Sequence, residues 1–277
     1  MSPVSAIISQ MQLPPQAGAA YLQLLQQLYG CLSGVPRPAV IGISGAQGSG
    51  KSTLARALTA QCNAAGISAG TVSLDDYYLD KALRQQLAQA VHPLLAQRGV
   101  PGTHYIQHAI TDVQAVLAGK PVALPQFDKA LDQPVASLPA QRFDILFVEG
   151  WCLGVQPQTM AELAVPVNPL EAVEDSAGQW RHYVNQQLAG GYAQYWQLLQ
   201  PLIWLQAPDW DSICRWRAKQ EQQLWRERGQ GMTDRELARF MRPFQRLTQA
   251  SWQQLPAVAN YTVRLDLQHT PTLLAAD

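Results

Sequence analysis

The sequence predicts an α/β fold, a doubly wound parallel sheet with helices on both faces, and three observations carry that prediction. Short runs rich in apolar residues, Ala39–Ser44 and Phe143–Val148 foremost, have the length and composition of strands buried on both faces. Such runs alternate along the chain with segments of helical periodicity, the pattern of parallel strands joined by crossover helices. A glycine-rich turn from Gly45 to Ser52 joins the first of these strands to a helix.

Taken in order, Gln16–Leu32 places Ala20, Leu24, Leu25 and Leu28 at helical spacing, and Gly34, Pro36 and Pro38 then break the chain. The strand Ala39–Ser44, the turn, and a helix from about Lys51 to just before Gly66 follow. Gly70–Leu74 reads as a second strand, stopping at Asp75. Leu79–Ala96 and His104–Leu117 read as helices. Pro121, Pro125, Pro134 and Pro139 mark an irregular stretch too long for a simple connector, and so a functional loop. The strand Phe143–Val148 ends at Glu149–Gly150. A helical region about Gly178–Gln200 precedes a strand at Leu202–Leu205. Helices about Asp209–Arg228 and Asp234–Leu255 flank Gly229-Gln230-Gly231, and a last strand lies at Tyr261–Leu265. The domain division is an N-terminal helical extension, residues 1–38, and one domain, residues 39–277, with a helical lid about 215–246.

The 277 residues carry 20 Lys+Arg and 20 Asp+Glu, so bulk charge offers no attraction to nucleic acid or to an anionic membrane, and an anionic ligand needs a local site. The hydrophobic share of 47% supports a large core. Cys31, Cys62, Cys152 and Cys214 lack metal-site spacing and read as buried free thiols. No Lys or Arg precedes Arg37, and no apolar run reaches the ~18 residues of a membrane span. The expected compartment is the cytoplasm.

Gly45-Ala46-Gln47-Gly48-Ser49-Gly50-Lys51-Ser52 fits G-x-x-x-x-G-K-[ST] without a mismatch. The glycines let backbone N–H groups converge on phosphate oxygens, and the helix opening at Lys51-Ser52-Thr53 adds its positive end. Lys51 would reach the β- and γ-phosphates, and the Ser52 hydroxyl would serve Mg²⁺. The fold is then of the P-loop NTPase type. A guanine-reading N-K-x-D motif is absent from the sequence, which favours ATP. In open α/β sheets ligands bind beyond the carboxyl ends of strands. Asp75, Asp76 and Glu149 follow strand ends there, whereas Asp144 opens its strand and belongs to the opposite edge. Asp75 is the expected base on an acceptor hydroxyl, and Glu149 the expected metal-shell carboxylate.

These motifs, with Leu74-Asp75-Asp76-Tyr77-Tyr78-Leu79 and Val148-Glu149-Gly150-Trp151, resemble the phosphoribulokinase, uridine kinase and pantothenate kinase superfamily. Arg98-Gly99-Val100-Pro101-Gly102-Thr103-His104, Pro125-Gln126-Phe127-Asp128-Lys129, Glu149-Gly150-Trp151-Cys152-Leu153-Gly154, Asn168-Pro169-Leu170, Trp216-Arg217-x-x-x-Glu221 and Gly231-Met232-Thr233-Asp234 resemble its D-glycerate 3-kinase branch. The resemblance implies Asp75 as base and Glu149 at the metal and phosphate site. It further implies Asp76, Tyr77, His104, Asp128 and Lys129 at the acceptor, and Arg217 with the segment around Gly231 in a closing lid. The chain departs from the branch at Tyr105, where relatives carry Asp. It departs again in a short stretch from Lys129 to Phe143 that lacks a Gly-Asp-Arg element, and at Phe240-Met241-Arg242-Pro243.

Nine of the 20 basic residues, with four acids, lie between Arg215 and Arg246. They read as an arginine lid, as a nucleic-acid patch or as solvated helix faces, and no aromatic ladder supports the second. Arg217, Arg226 and Arg228 are the candidates for closing over the developing charge, and Gly229 and Gly231 for hinges. His92, His108, His182 and His269 lack metal-ligand spacing, and the tryptophans of the second half read as core. The expected chemistry is transfer of the γ-phosphoryl of ATP to a small hydroxylated molecule, with D-glycerate favoured by resemblance. The alternatives are another acceptor (a nucleoside, a sugar or a pantothenate-like alcohol) or an ATP-binding regulatory protein without catalysis.

Overall fold

The computed structural model describes residues 3–9, 15–229 and 231–274. Along the chain these form α1 (Pro3–Ser9), α2 (Pro15–Leu32), β1 (Ala39–Gly45), α3 (Lys51–Ala64), β2 (Ala69–Ser73), α4 (Lys81–Ala90), α5 (Ile106–Leu117), β3 (Gln126–Asp128) and β4 (Gln133–Val135). The second half holds β5 (Ile145–Gly150), α6 (Met160–Ala164), α7 (Pro169–Val173), α8 (Gln179–Gln187), α9 (Ala193–Gln197), β6 (Leu202–Gln206), α10 (Trp210–Arg228), α11 (Asp234–Gln254), β7 (Tyr261–Leu265) and β8 (Pro271–Leu273).

Six strands make one sheet in the order β2-β5-β1-β6-β7-β8, parallel except for β8. β1 and β5 are buried along their whole length, which is why both read as continuous apolar runs rather than as alternations. Period-2 geometry sends their side chains to two separate cores. Val40, Leu146, Val148, Leu202 and Trp204 pack on one face with Val113 of α5 and Phe244 and Leu247 of α11. Ile41, Ile43, Ile145, Phe147, Ile203 and Leu205 pack on the other with Leu54 and Leu58 of α3 and Trp216 of α10.

Tyr21, Leu24, Leu25 and Leu28 of α2 are buried in that second core, so α2 packs on the sheet together with α3. The helix read over Leu79–Ala96 is shorter: α4 ends at Ala90 and a 3-10 turn spans Pro93–Ala96. The helical region about Gly178–Gln200 is interrupted at Gly190, whose backbone is not helical. Sequence reading missed the β3–β4 hairpin, whose strands have three residues each and include Pro134, β4 being exposed while β3 buries Phe127. Cys62 and Cys152 are buried as expected, but Cys31 is exposed and Cys214 is half-buried. No helix among the described residues is long and apolar enough to cross a membrane.

Register places the site. Glu149 of β5 stands between Ile43 of β1 and Ser73 of β2, level with the points where the phosphate loop and the Asp75 turn leave the sheet. Asp144 sits at the other end, where its carboxylate accepts from the Ser68 amide at 2.9 Å.

Candidate active site

The loop after β1 turns through left-handed conformations at Gly48 (φ 78°) and Gly50 (φ 88°), which side-chain-bearing residues rarely adopt. A Cβ at Gly48 would also stand 2.9 Å from Cβ of Trp216. Gly50 precedes α3 without a side-chain cap, leaving the first amides of that helix for a ligand. Two distant elements steady the loop: Tyr21 of α2 donates to the Ser49 carbonyl at 3.4 Å, and His269 Nε2 lies 2.8 Å from the Gly48 carbonyl. The His269 ring stacks on Trp216, with centroids 3.8 Å apart. Gln47, Gly48, Gly50, Lys51, Ser52 and Thr53 face a cavity of about 600 Å³, while Gly45, Ala46 and Ser49 stand behind it.

Ser52 Oγ donates to Glu149 Oε1 at 2.7 Å, and Lys51 Nζ lies 3.9 Å from Glu149 Oε2. That second oxygen is buried and has no hydrogen-bond partner among the described residues. A hydroxyl and a carboxylate with an unsatisfied oxygen, beside a phosphate loop, fit a hard divalent cation such as Mg²⁺. That ion takes one or two protein ligands and otherwise water and phosphate oxygens.

Asp75 lies in a 3-10 turn, Leu74–Tyr77, directly after β2. A capping box closes the turn: Ser73 Oγ accepts from the Asp75 amide, and Asp76 Oδ2 accepts from the Ser73 amide at 3.0 Å. Asp75 faces the cavity with both oxygens engaged. Tyr78 donates to Oδ1 at 2.7 Å and Lys129 to Oδ2 at 2.6 Å. Burial raises the Asp75 pKa, but Lys129, Lys51 and the Tyr78 hydroxyl together outweigh it and bring it down to about 2.

Of the residues expected at the acceptor, the structure brings only Lys129 into the cavity. Asp76 is held by backbone, its Oδ1 accepting from the Phe127 amide at 3.3 Å, so it ties the turn to β3. Tyr77 points into the core and donates to Asp112 at 3.0 Å. Asp128 accepts from the amides of Ala130 and Leu131 and shapes the hairpin turn. His104 is buried behind Tyr78, with ring centroids 4.6 Å apart, and its Nδ1 lies 2.7 Å from the Tyr192 hydroxyl. Burial lowers the His104 pKa to about 4, so the ring is neutral near pH 7. Tyr105, the departure from the family pattern, is turned to the surface and donates to Asp80 at 2.9 Å. It therefore does not alter the cavity wall.

A further wall of the cavity is built by α10, α11 and the segment between them. Arg217, Gln220 and Glu221 line it with Met232, Phe240 and Phe244. The i, i+4 spacing lets Arg217 Nη2 pair with Glu221 Oε2 at 2.6 Å, while Arg217 Nη1 has no hydrogen-bond partner among the described residues. Glu221 also accepts from the Met232 amide at 2.7 Å, so the Gly231 segment is tied to α10. Arg226 does not line the cavity; the Arg228 side chain and Gln230 lie outside the described residues. Sequence reasoning assigned no role to Arg98, Tyr78 or Glu221, though all three stood in the quoted motifs and Glu221 announced itself by its spacing from Arg217.

No family model matches the chain. The uncharacterized kinase mug58 of Schizosaccharomyces pombe is 32% identical over 225 residues, covering 74% of this chain and 78% of that protein. The chain belongs to the D-glycerate 3-kinase-like branch of the P-loop kinases. It is an ATP-dependent phosphotransferase. The chloroplastic D-glycerate 3-kinase of Arabidopsis thaliana is 25% identical over 218 residues, 74% of this chain but 45% of that protein, so this kinase matches less than half of its plant relative. A solved D-glycerate 3-kinase from Cryptococcus neoformans shares the fold, with a TM-score of 0.71 and 21% identity over 93% of this chain and 97% of that one.

Proposed function

We propose that this kinase transfers the γ-phosphoryl of ATP to a hydroxyl of D-glycerate. The observation that carries the reading is the layout of the cavity. Asp75 faces the phosphate loop from the acceptor end, beside two cationic side chains, Lys129 and Arg98, suited to a small carboxylate. The curated plant relative and the solved fungal neighbour named D-glycerate 3-kinase lend it support.

In this mechanism the loop amides and Lys51 hold the phosphates, and Arg217, which lines the cavity, stabilises the charge on the transferring group. Ser52 and Glu149 would hold Mg²⁺, which when bound neutralises charge on the β- and γ-oxygens. Asp75 takes the proton as the hydroxyl oxygen bonds to phosphorus, and ADP leaves. Trp151, Phe240 and Phe244 limit water around the reacting groups.

The test is Mg²⁺-dependent release of ADP from ATP with D-glycerate and with a panel of nucleosides, sugars and pantothenate. D-glycerate is expected to stimulate strongly and the others weakly. A response to another alcohol alone would keep the chemistry and discard the substrate.

A further inference from the structure

We propose that Lys129 gates the base: without acceptor it occupies Oδ2 of Asp75, and only an acceptor with a carboxylate beside its hydroxyl draws it away. Lys129 is then the specificity-determining side chain, and the class it selects is the hydroxy acid. The choice of class rests on the D-glycerate reading; the occupied base does not.

The geometry has four parts. Both oxygens of Asp75 already accept a strong hydrogen bond, Oδ1 from the Tyr78 hydroxyl and Oδ2 from Lys129 Nζ, so an alcohol meets a carboxylate with only its remaining lone pairs free and its basicity lowered by the adjacent ammonium. Tyr78 is fixed: it is 4% exposed, stacked on His104 and packed edge-on to Phe127. Lys129 is the movable partner, because its side chain is 57% exposed while its backbone is clamped. Arg98 donates to the Lys129 carbonyl at 3.1 Å, and Asp128 holds the next two amides. The tether therefore stays while the ammonium swings.

A place for it to swing is already charged. Arg84 and Arg98 share one carboxylate, Asp132, which puts two guanidinium charges against a single anion, and Arg98 reaches the cavity wall. A carboxylate bound there, taking Lys129 as its second cation, exchanges one ammonium–carboxylate pair for another. The Lys129 end of that pair is exposed, so water can replace the ammonium's contacts while the exchange takes place. A neutral alcohol offers no replacement charge, so Lys129 stays on Asp75. Once Oδ2 is vacated, the acceptor hydroxyl donates to it. Its oxygen then bonds to the γ-phosphorus, its proton passes to Oδ2, and the bridging bond breaks toward ADP.

Lys129→Met, which removes the charge and keeps the bulk, separates this role from simple substrate binding, with Lys129→Gln measured beside it. The readouts are turnover with D-glycerate, phosphorylation of glycerol, and acceptor-free ATP hydrolysis, each after ATP binding and melting confirm a folded protein. Gating predicts that D-glycerate turnover falls while glycerol phosphorylation and acceptor-free hydrolysis rise, each by about tenfold. The charged and titratable groups facing Asp75 are Lys51, Lys129, Tyr78, Asp76, His104 and Cys152. Removing Lys129 leaves Lys51 as the cation among them, so the acid limb of hydrolysis should move to higher pH. If D-glycerate turnover falls while hydrolysis, glycerol phosphorylation and the acid limb all stay put, Lys129 only binds substrate and the gate is overturned. If wild type ignores D-glycerate yet Lys129→Met raises hydrolysis, the gate stands and the substrate reading falls.

Discussion

Arg217 presents two edges with different duties. Glu221 holds one in place, and the other is buried at the cavity wall with an unsatisfied N–H. A guanidinium fixed in this way needs little reorganisation as charge develops on the transferring phosphoryl group. Arg217→Ala should lower kcat on the order of 10³-fold, in the range of arginines that serve phosphoryl transfer, with a smaller change in the KM for acceptor. Steady-state kinetics separate the two, and a pure KM effect would reassign Arg217 to substrate capture.

At the scale of elements, the phosphate loop depends on a neighbour remote in sequence. Gly48 needs a left-handed backbone, and Trp216 of α10 lies where a side chain at residue 48 would go. Trp216 cannot easily yield, since His269 stacks on it and itself lies against the Gly48 carbonyl. Gly48→Ala should therefore weaken ATP binding by about tenfold or more, from a backbone strain of about 1–2 kcal/mol together with the displaced helix. Equilibrium titration with ATP measures it, and unchanged affinity would mean that the loop adapts. The β3–β4 hairpin shows the same dependence from the other side. Asp76 and Asp128 serve it by accepting backbone amides, and the hairpin in turn delivers Lys129 to Asp75.

For the whole molecule, a buried imidazole sets an acid limit. His104 has a pKa of about 4 in the folded chain against an ordinary value of 6.5, so as pH falls the unfolded chain takes up the proton first. Its contribution is fully present above pH 6.5 and is lost progressively toward pH 4, by roughly 3 kcal/mol in all. His104→Asn should melt lower at pH 7 yet lose less stability between pH 6.5 and 4. Melting curves of both proteins across that window check this, and equal slopes would remove His104 as the source.

The sequence by itself determined the parallel α/β sheet, the phosphate loop and the placing of Asp75 and Glu149 at the same edge of the sheet. Each is written locally: an apolar run long enough for a buried strand, a glycine spacing that few turns share, a carboxylate at the carboxyl end of a strand, inside it for Glu149 and two residues past it for Asp75. Only the tertiary structure decided which acceptor-side residues face the cavity. Asp76, Tyr77, His104 and Asp128 stand in motifs as suggestive as that of Lys129, yet backbone amides, the core or a stacked ring claim their side chains. The direction of a side chain in a turn is fixed by its contacts; for Tyr77 and His104 these come from Asp112 and Tyr192, 35 and 88 residues away, while Asp76 and Asp128 are claimed by amides two or three residues off, with Phe127 a further, distant partner of Asp76. The engagement of both Asp75 oxygens has the same origin: one partner is three residues along the chain, and the other arrives from a hairpin 54 residues away.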